Sequence, residues 1–141
     1  MTARSIIAIA VLLLWVGAAD AASSINDPAV RDASTLELTT TGRKSGKPRT
    51  VTIWFVVDDR LYVQSGKEGK TDWYQNVVAN PAVTVKIGDN EFRGQARTIT
   101  DGAETARVHE LFKQKYFSAR VMSWFSAGGF GSGKVVAIDV Q

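Results

Sequence analysis

The sequence predicts a mainly β, α+β domain, a small barrel or strongly twisted sheet of about six mostly antiparallel strands packed with two or three short helices. Three features lead there. Segments of alternating or β-branched residues recur along most of the chain. Short turns bearing glycine, asparagine or aspartate separate neighbouring segments, as hairpins require. Helical periodicity is confined to short stretches between them, which disfavours a parallel doubly wound sheet.

With 141 residues, 45% of them hydrophobic and 22% charged, the chain is long enough to bury one core. The 17 Lys and Arg against 14 Asp and Glu leave a net charge of +3, too mild for a nucleic-acid-binding face. Cysteine is absent, so neither disulfides nor thiolate zinc sites arise.

Taken in order, the elements begin with a targeting segment. Arg4 precedes an unbroken apolar run from Ile6 to Val16, and Ala19-Asp20-Ala21 has the small-x-small pattern of a signal-peptidase site. The run falls short of the roughly 20 residues of a membrane span. Residues 1–21 are therefore expected to be a signal peptide, or an anchor through residues 5–17. The domain would then be exported, to the periplasm or beyond, or held at a membrane. Residues 22–34, with Asp27-Pro28, read as a linker, and residues 35–141 as the single domain.

Leu36 to Thr41 alternates, and Thr50 to Val57 is β-branched and aromatic, giving a first hairpin. Asp58-Asp59 turns into Arg60 to Gln64, a second. Thr71 or Asp72 caps a short helix that runs to about Ala79 and stops at Asn80-Pro81. Val83 to Ile87, a Gly88-Asp89-Asn90 turn and Glu91 to Ile99 make the third hairpin. Asp101 and Glu104 have capping-box spacing and open a helix with Val108, Leu111, Phe112 and Lys115 on one side. Tyr116 to Phe125 reads as a further helical piece, Gly128 to Gly133 as a break, and Val135 to Val140 as a closing strand.

Chemistry concentrates between the first two strands. Gly42-Arg43-Lys44-Ser45-Gly46-Lys47-Pro48-Arg49 places four positive side chains and no negative one in a tight loop, a setting suited to an anion such as phosphate. A solvated basic turn is the alternative. Other apparent motifs carry little. Gly128 to Lys134 has a P-loop skeleton, but Val135 stands where Ser or Thr is needed and a strand follows where a helix must. His109 is the only histidine, has no ligand set and reads as a helix-surface residue. No serine has an evident His and acid partner. Trp54, Trp73 and Trp124 read first as core aromatics, with lining of a ring-binding pocket as the alternative.

The ordered set of Leu38 to Arg49, the Ser65-Gly66-Lys67 loop, Asp72-Trp73-Tyr74-Gln75-Asn76 and Ala79-Asn80-Pro81 resembles the deazaflavin (F420)-dependent nitroreductase and quinone reductase family. The resemblance covers about Leu36 to Ile99. It implies a split β-barrel related to FMN-binding pyridoxamine-phosphate oxidases. It also implies hydride transfer from reduced F420 to a quinone, nitroaromatic or similar small-molecule acceptor. By position, it gives Arg43, Lys44, Ser45 and Arg49 to the cofactor's phosphate and acidic tail. Ser65, Gly66 and Lys67 would contact the same cofactor, as would Trp73, Tyr74 and Asn76 at the helix start. Backbone at Val51, Thr52 and Ile53 would flank the ring. Trp54, Tyr116 and Trp124 are substrate-side candidates by position alone, and no side chain is required as acid or base. The Ser65 to Asp72 loop is shorter than the family's, so FMN or haem are alternative ligands, and a non-enzymatic anion-binding module is a third reading. Related barrels imply a homodimer.

Overall fold

Seven strands, where the sequence suggests about six, form one antiparallel sheet in a computed structural model that describes residues 24–116 and 133–141. The added strand arises at Trp54, where the stretch read as a single strand breaks into β2 (Pro48–Ile53) and β3 (Phe55–Val57). The others are β1 (Leu36–Thr41), β4 (Leu61–Ser65), β5 (Ala82–Ile87), β6 (Asn90–Thr98) and β7 (Lys134–Val140). Their order across the sheet is β2-β1-β5-β6-β7-β4-β3. The expected hairpins β1–β2, β3–β4 and β5–β6 all form, and β7 enters between β6 and β4.

β2 and β3 stand at opposite ends of that order, yet only Trp54 separates them in the chain. In a flat sheet the two ends would lie about 29 Å apart, at about 4.8 Å per strand, far beyond the reach of one residue. The sheet must curl until its ends meet. The result is a split β-barrel.

Residue alternation then decides which strands a helix can cover. Phe55, Val57, Leu61, Val63, Val136 and Ile138 point into the barrel with Leu36, Leu38, Val85 and Ile87. Their neighbours Val56, Tyr62, Val135 and Ala137 point outward, where helix α3 (Gly102–Lys115) covers them with Val108 and Phe112. β3, β4 and β7 are thus buried on both faces, while β1 and β5 alternate buried and more open positions. α3 begins as its sequence predicts, with Asp101 Oδ2 accepting from Glu104 N at 2.8 Å.

Helix α2 (Asp72–Ala79) packs on β1 and β6, burying Trp73, Asn76 and Val77. The stretch read as a linker is described from residue 24 onward. There Pro28–Arg31 forms a one-turn helix, α1, capped by Asp27, with Val30 in the core and Arg31 Nη2 donating to Val57 O at 3.0 Å. Residues 1–21, Trp124, the helical piece expected after Tyr116 and the glycine break before Gly133 lie outside the described residues.

Candidate functional site

The β1–β2 loop is shaped by two glycines. Gly42 N donates to Lys47 O and Gly46 N to Gly42 O, both at 2.8 Å. A Cβ on Gly42 would come within 2.5 Å of Ser45 Oγ, and Gly46 has φ +69°, so neither position accepts a side chain without strain. The fold sets this loop against the first turn of α2. Arg43 makes the join. Its backbone N and Nη1 both donate to Asn76 Oδ1, at 3.1 and 3.0 Å, and Nη2 meets Asp72 Oδ1 at 3.2 Å. Asn76, 3% exposed, completes its amide by donating from Nδ2 to Thr40 Oγ1 at 3.3 Å.

Between loop and helix lies an open cleft of about 590 Å³, whose lining includes Lys44, Ser45, Arg49, Val51, Trp73 and Asn76. Its size is that of a cofactor or ligand site. Lys44 and Arg49 are exposed and have no ion pair among the described residues. The α2 N-terminus adds its partial positive end. Register puts Arg49, Val51 and Ile53 opposite Thr40, Leu38 and Leu36, on the barrel-facing side of β2. β2 pairs only with β1 among the described residues, so its other edge has no strand partner among them.

Of the residues singled out by sequence, Arg43, Lys44, Ser45, Arg49, Val51, Trp73 and Asn76 come together here. Trp73 does so mainly as wall, being 7% exposed and part of the barrel core. Thr52 and Ile53 continue along β2 beyond the lining. Ser65 is fully buried, its hydroxyl 2.7 Å from Thr71 Oγ1, so it ties the end of β4 to the start of α2. Gly66 is exposed, and Lys67 begins a 3-10 turn, Lys67–Gly69.

Tyr74 turns away from the cleft to a second one of about 550 Å³ with Thr98, Thr100, His109 and Lys134. His109 is half-buried there, with Nε2 3.3 Å from Gly133 O. Trp54 and Tyr116 stack at 5.0 Å in neither lining. The Tyr116 hydroxyl accepts from Phe55 N at 3.0 Å and donates to Phe55 O or Ser34 O. Burial pushes it up to about 12. It closes the barrel seam, and beside it Lys115 Nζ donates to Phe55 O at 3.1 Å over the Phe55 ring. Burial holds Lys115 down to about 8.

Asp72 and Thr40 are the site residues that sequence reasoning passed over. Asp72 entered as a helix cap and as part of the Asp72 to Asn76 motif but not as a site residue, although its i, i+4 spacing from Asn76 puts both on one helix face.

Comparison with known proteins bears on this geometry. A family model described as F420H(2)-dependent quinone reductase matches residues 24–124. An F420H(2)-dependent quinone reductase of Mycobacterium tuberculosis is 32% identical over 68 residues, 45% of this chain and 46% of that protein. The match thus spans about half the relative's length. A solved F420-H2 dependent reductase shares 28% identity at a TM-score of 0.60, over 75% of this chain and 94% of that one. A structure described as a domain-swapped dimer also shares 28% identity at 0.60, over 75% and 80%.

Proposed function

The chain belongs to the F420H(2)-dependent quinone reductase family, and on that premise we propose that it binds F420 in the basic cleft and reduces a quinone or similar conjugated acceptor, nitroaromatics included. The observation that carries this reading is a cleft of cofactor size in which Lys44 and Arg49 stand unpaired among the described residues, beside a helix N-terminus. The donor set fits an elongated anion that carries a planar ring.

Held in this cleft, a reduced deazaflavin would supply the hydride. What remains for the protein is binding, orientation and exclusion of water. Lys44 and Arg49 hold phosphate and acidic groups through charge-assisted bonds, and the Ser45 hydroxyl and loop N–H groups add neutral donors. Val51 and Trp73 supply an apolar wall for the ring. No lining side chain has to act as a proton donor. His109 lines the other cleft.

Fluorescence titration of the purified protein with F420, followed by oxidation of reduced F420 in the presence of a soluble benzoquinone, tests this reading. Micromolar binding and quinone-dependent oxidation are expected. Binding of FMN or haem in place of F420, read by absorbance, would overturn it. A homodimer belongs to the same proposal, supported by the likeness to a domain-swapped dimer, and light scattering checks it. So does a location at a membrane or outside the cell, supported by the apolar run Ile6–Val16 and checked by mass spectrometry of the mature N-terminus.

A further inference from the structure

The second cleft, of about 550 Å³, is nearly the size of the first and takes no part in the reading above. It exists because one stripe of α3 is small. Gly102, Thr105 and Ala106 stand at i, i+3 and i+4, with His109 at i+7, so they face one way along the helix and leave a hollow toward the start of β7. Buried Ile99 and Val135 give this hollow an apolar floor, and the Tyr74 ring adds an aromatic wall. Its nitrogen-bearing side chains are Lys134 and His109, and no carboxylate lines it among the described residues. Lys134 is exposed and has no ion pair among them. Gly69, at φ +80°, sets its place. A Cβ there would come within 2.9 Å of Tyr74 Cε1 and 3.1 Å of Lys134 Cγ, so the missing side chain lets the ring and the lysine stem pack at one spot. His109 is oriented too: because a carbonyl only accepts, Nε2 carries the hydrogen toward Gly133 O at 3.3 Å. A cation thus stands beside an aromatic ring over an apolar floor.

We propose that this cleft is a second ligand site, for a small aromatic carboxylate, with the ring against Tyr74 and the carboxylate at Lys134. The lining selects both parts. An apolar ring gains by leaving water for Ile99, Val135 and Tyr74, while a negative group meets one lysine and no competing carboxylate. One ammonium suits one negative charge, in contrast to the three cations of the basic cleft, which suit a more highly charged ligand. No residue lines both clefts, although Trp73 and Tyr74 are neighbours on α2. The second site therefore stands whether or not F420 fills the first.

The chain has a single histidine, so the ring-proton NMR signals of His109 report on this cleft without ambiguity of assignment. Titration of the full chain with cinnamate at constant pH should move them saturably. Cinnamamide, of the same shape without the charge, should bind about three- to fivefold more weakly, the scale of an exposed ion pair. Lys134→Met keeps the stem and removes the charge, so cinnamate affinity should fall to that of the amide while the amide's own is unchanged. Retained amide binding also shows that this variant is folded. Lys44→Ala with Arg49→Ala should leave the preference for cinnamate in place. A His109 signal that moves with neither probe overturns the proposal. So does a preference that survives Lys134→Met, or one that disappears with Lys44 and Arg49 and thereby assigns the ligand to the first cleft.

Discussion

The loop Gly42–Arg49 and the corner where the β3–β4 hairpin meets α3 are both dense in charge, but they spend it differently. At the corner Arg107 meets Asp58 and Asp59, and Arg60 lies 3.4 Å from both Asp59 and Asp139. The Tyr62 hydroxyl sits among them, near Asp59 at 2.8 Å and Glu104 at 3.1 Å, and its hydrogen bond holds the Asp59 carboxyl below the usual range. Every arginine there has a carboxylate, so an arriving anion meets charge already neutralised. In the loop only Arg43 is paired, and Lys44 and Arg49 border open space. Unmatched charge lining a cleft is open to an arriving anion, whereas matched charge ties the elements that carry it to one another.

The sharpest way to break this contrast is to remove the unmatched cations. Lys44→Ala with Arg49→Ala should weaken F420 binding by about 100-fold or more, at about 1.5 to 3 kcal/mol for each charge-assisted bond. Both residues are exposed, so the urea midpoint should move by less than about 0.5 kcal/mol in stability. Retained affinity would place the cofactor elsewhere.

Asn76→Ala should act on both properties. Arg43 N and Thr40 lose their buried partner, which costs about 1 to 3 kcal/mol, read as a lower urea midpoint at unchanged slope. F420 affinity falls with it, because the loop is no longer held against α2.

The covered side of the barrel should show itself in alkaline titration. Lys115 is lowered to about 8 in the fold from an ordinary 10.5, so the unfolded chain binds more protons between those values. Stability therefore rises with pH above about 8. Tyr116 and Tyr62 are raised by burial above an ordinary 10.0, so from about pH 10 the folded state holds the extra protons and the trend reverses. Denaturation across pH 7 to 11 should show this maximum, and Lys115→Met should flatten the rising limb. A monotonic profile in the wild type would contradict the burial of Lys115.

The smallest effect is expected at the charged corner. Arg107→Ala should change stability by no more than about 1 kcal/mol and leave F420 titration unaltered, since both sides of its pairs are substantially exposed. A clear loss of affinity would erase the distinction between the two regions.

Much of this was legible in the residues. Hairpin turns, the Asp101 cap and α2 announce themselves locally, because turn chemistry and capping depend on neighbours a few positions apart. The break at Trp54 was not legible, since Thr50 to Val57 is uniformly strand-forming and only closure of the barrel demands a corner. The coverage by α3 had a signal that went unread. Phe55-Val56-Val57 and Val135 to Ile138 are continuously apolar where β1 alternates, as strands buried on both faces must be. At the site, the basic loop stood out by composition. Ser65 and Tyr116 did not reveal that their hydroxyls serve the fold, because their partners lie far off in sequence or on another element.

The place of β7 in the sheet has a consequence for how the molecule is made. It is the last of the seven strands in chain order, yet it sits between β6 and β4 and is what joins β2-β1-β5-β6 to β4-β3. Until β7 is available, β6 and β4 each lack a neighbour, and nothing joins the two groups of strands into one sheet. The barrel is completed only once that strand is available, which makes the interval before its emergence the period when a chaperone has most to protect.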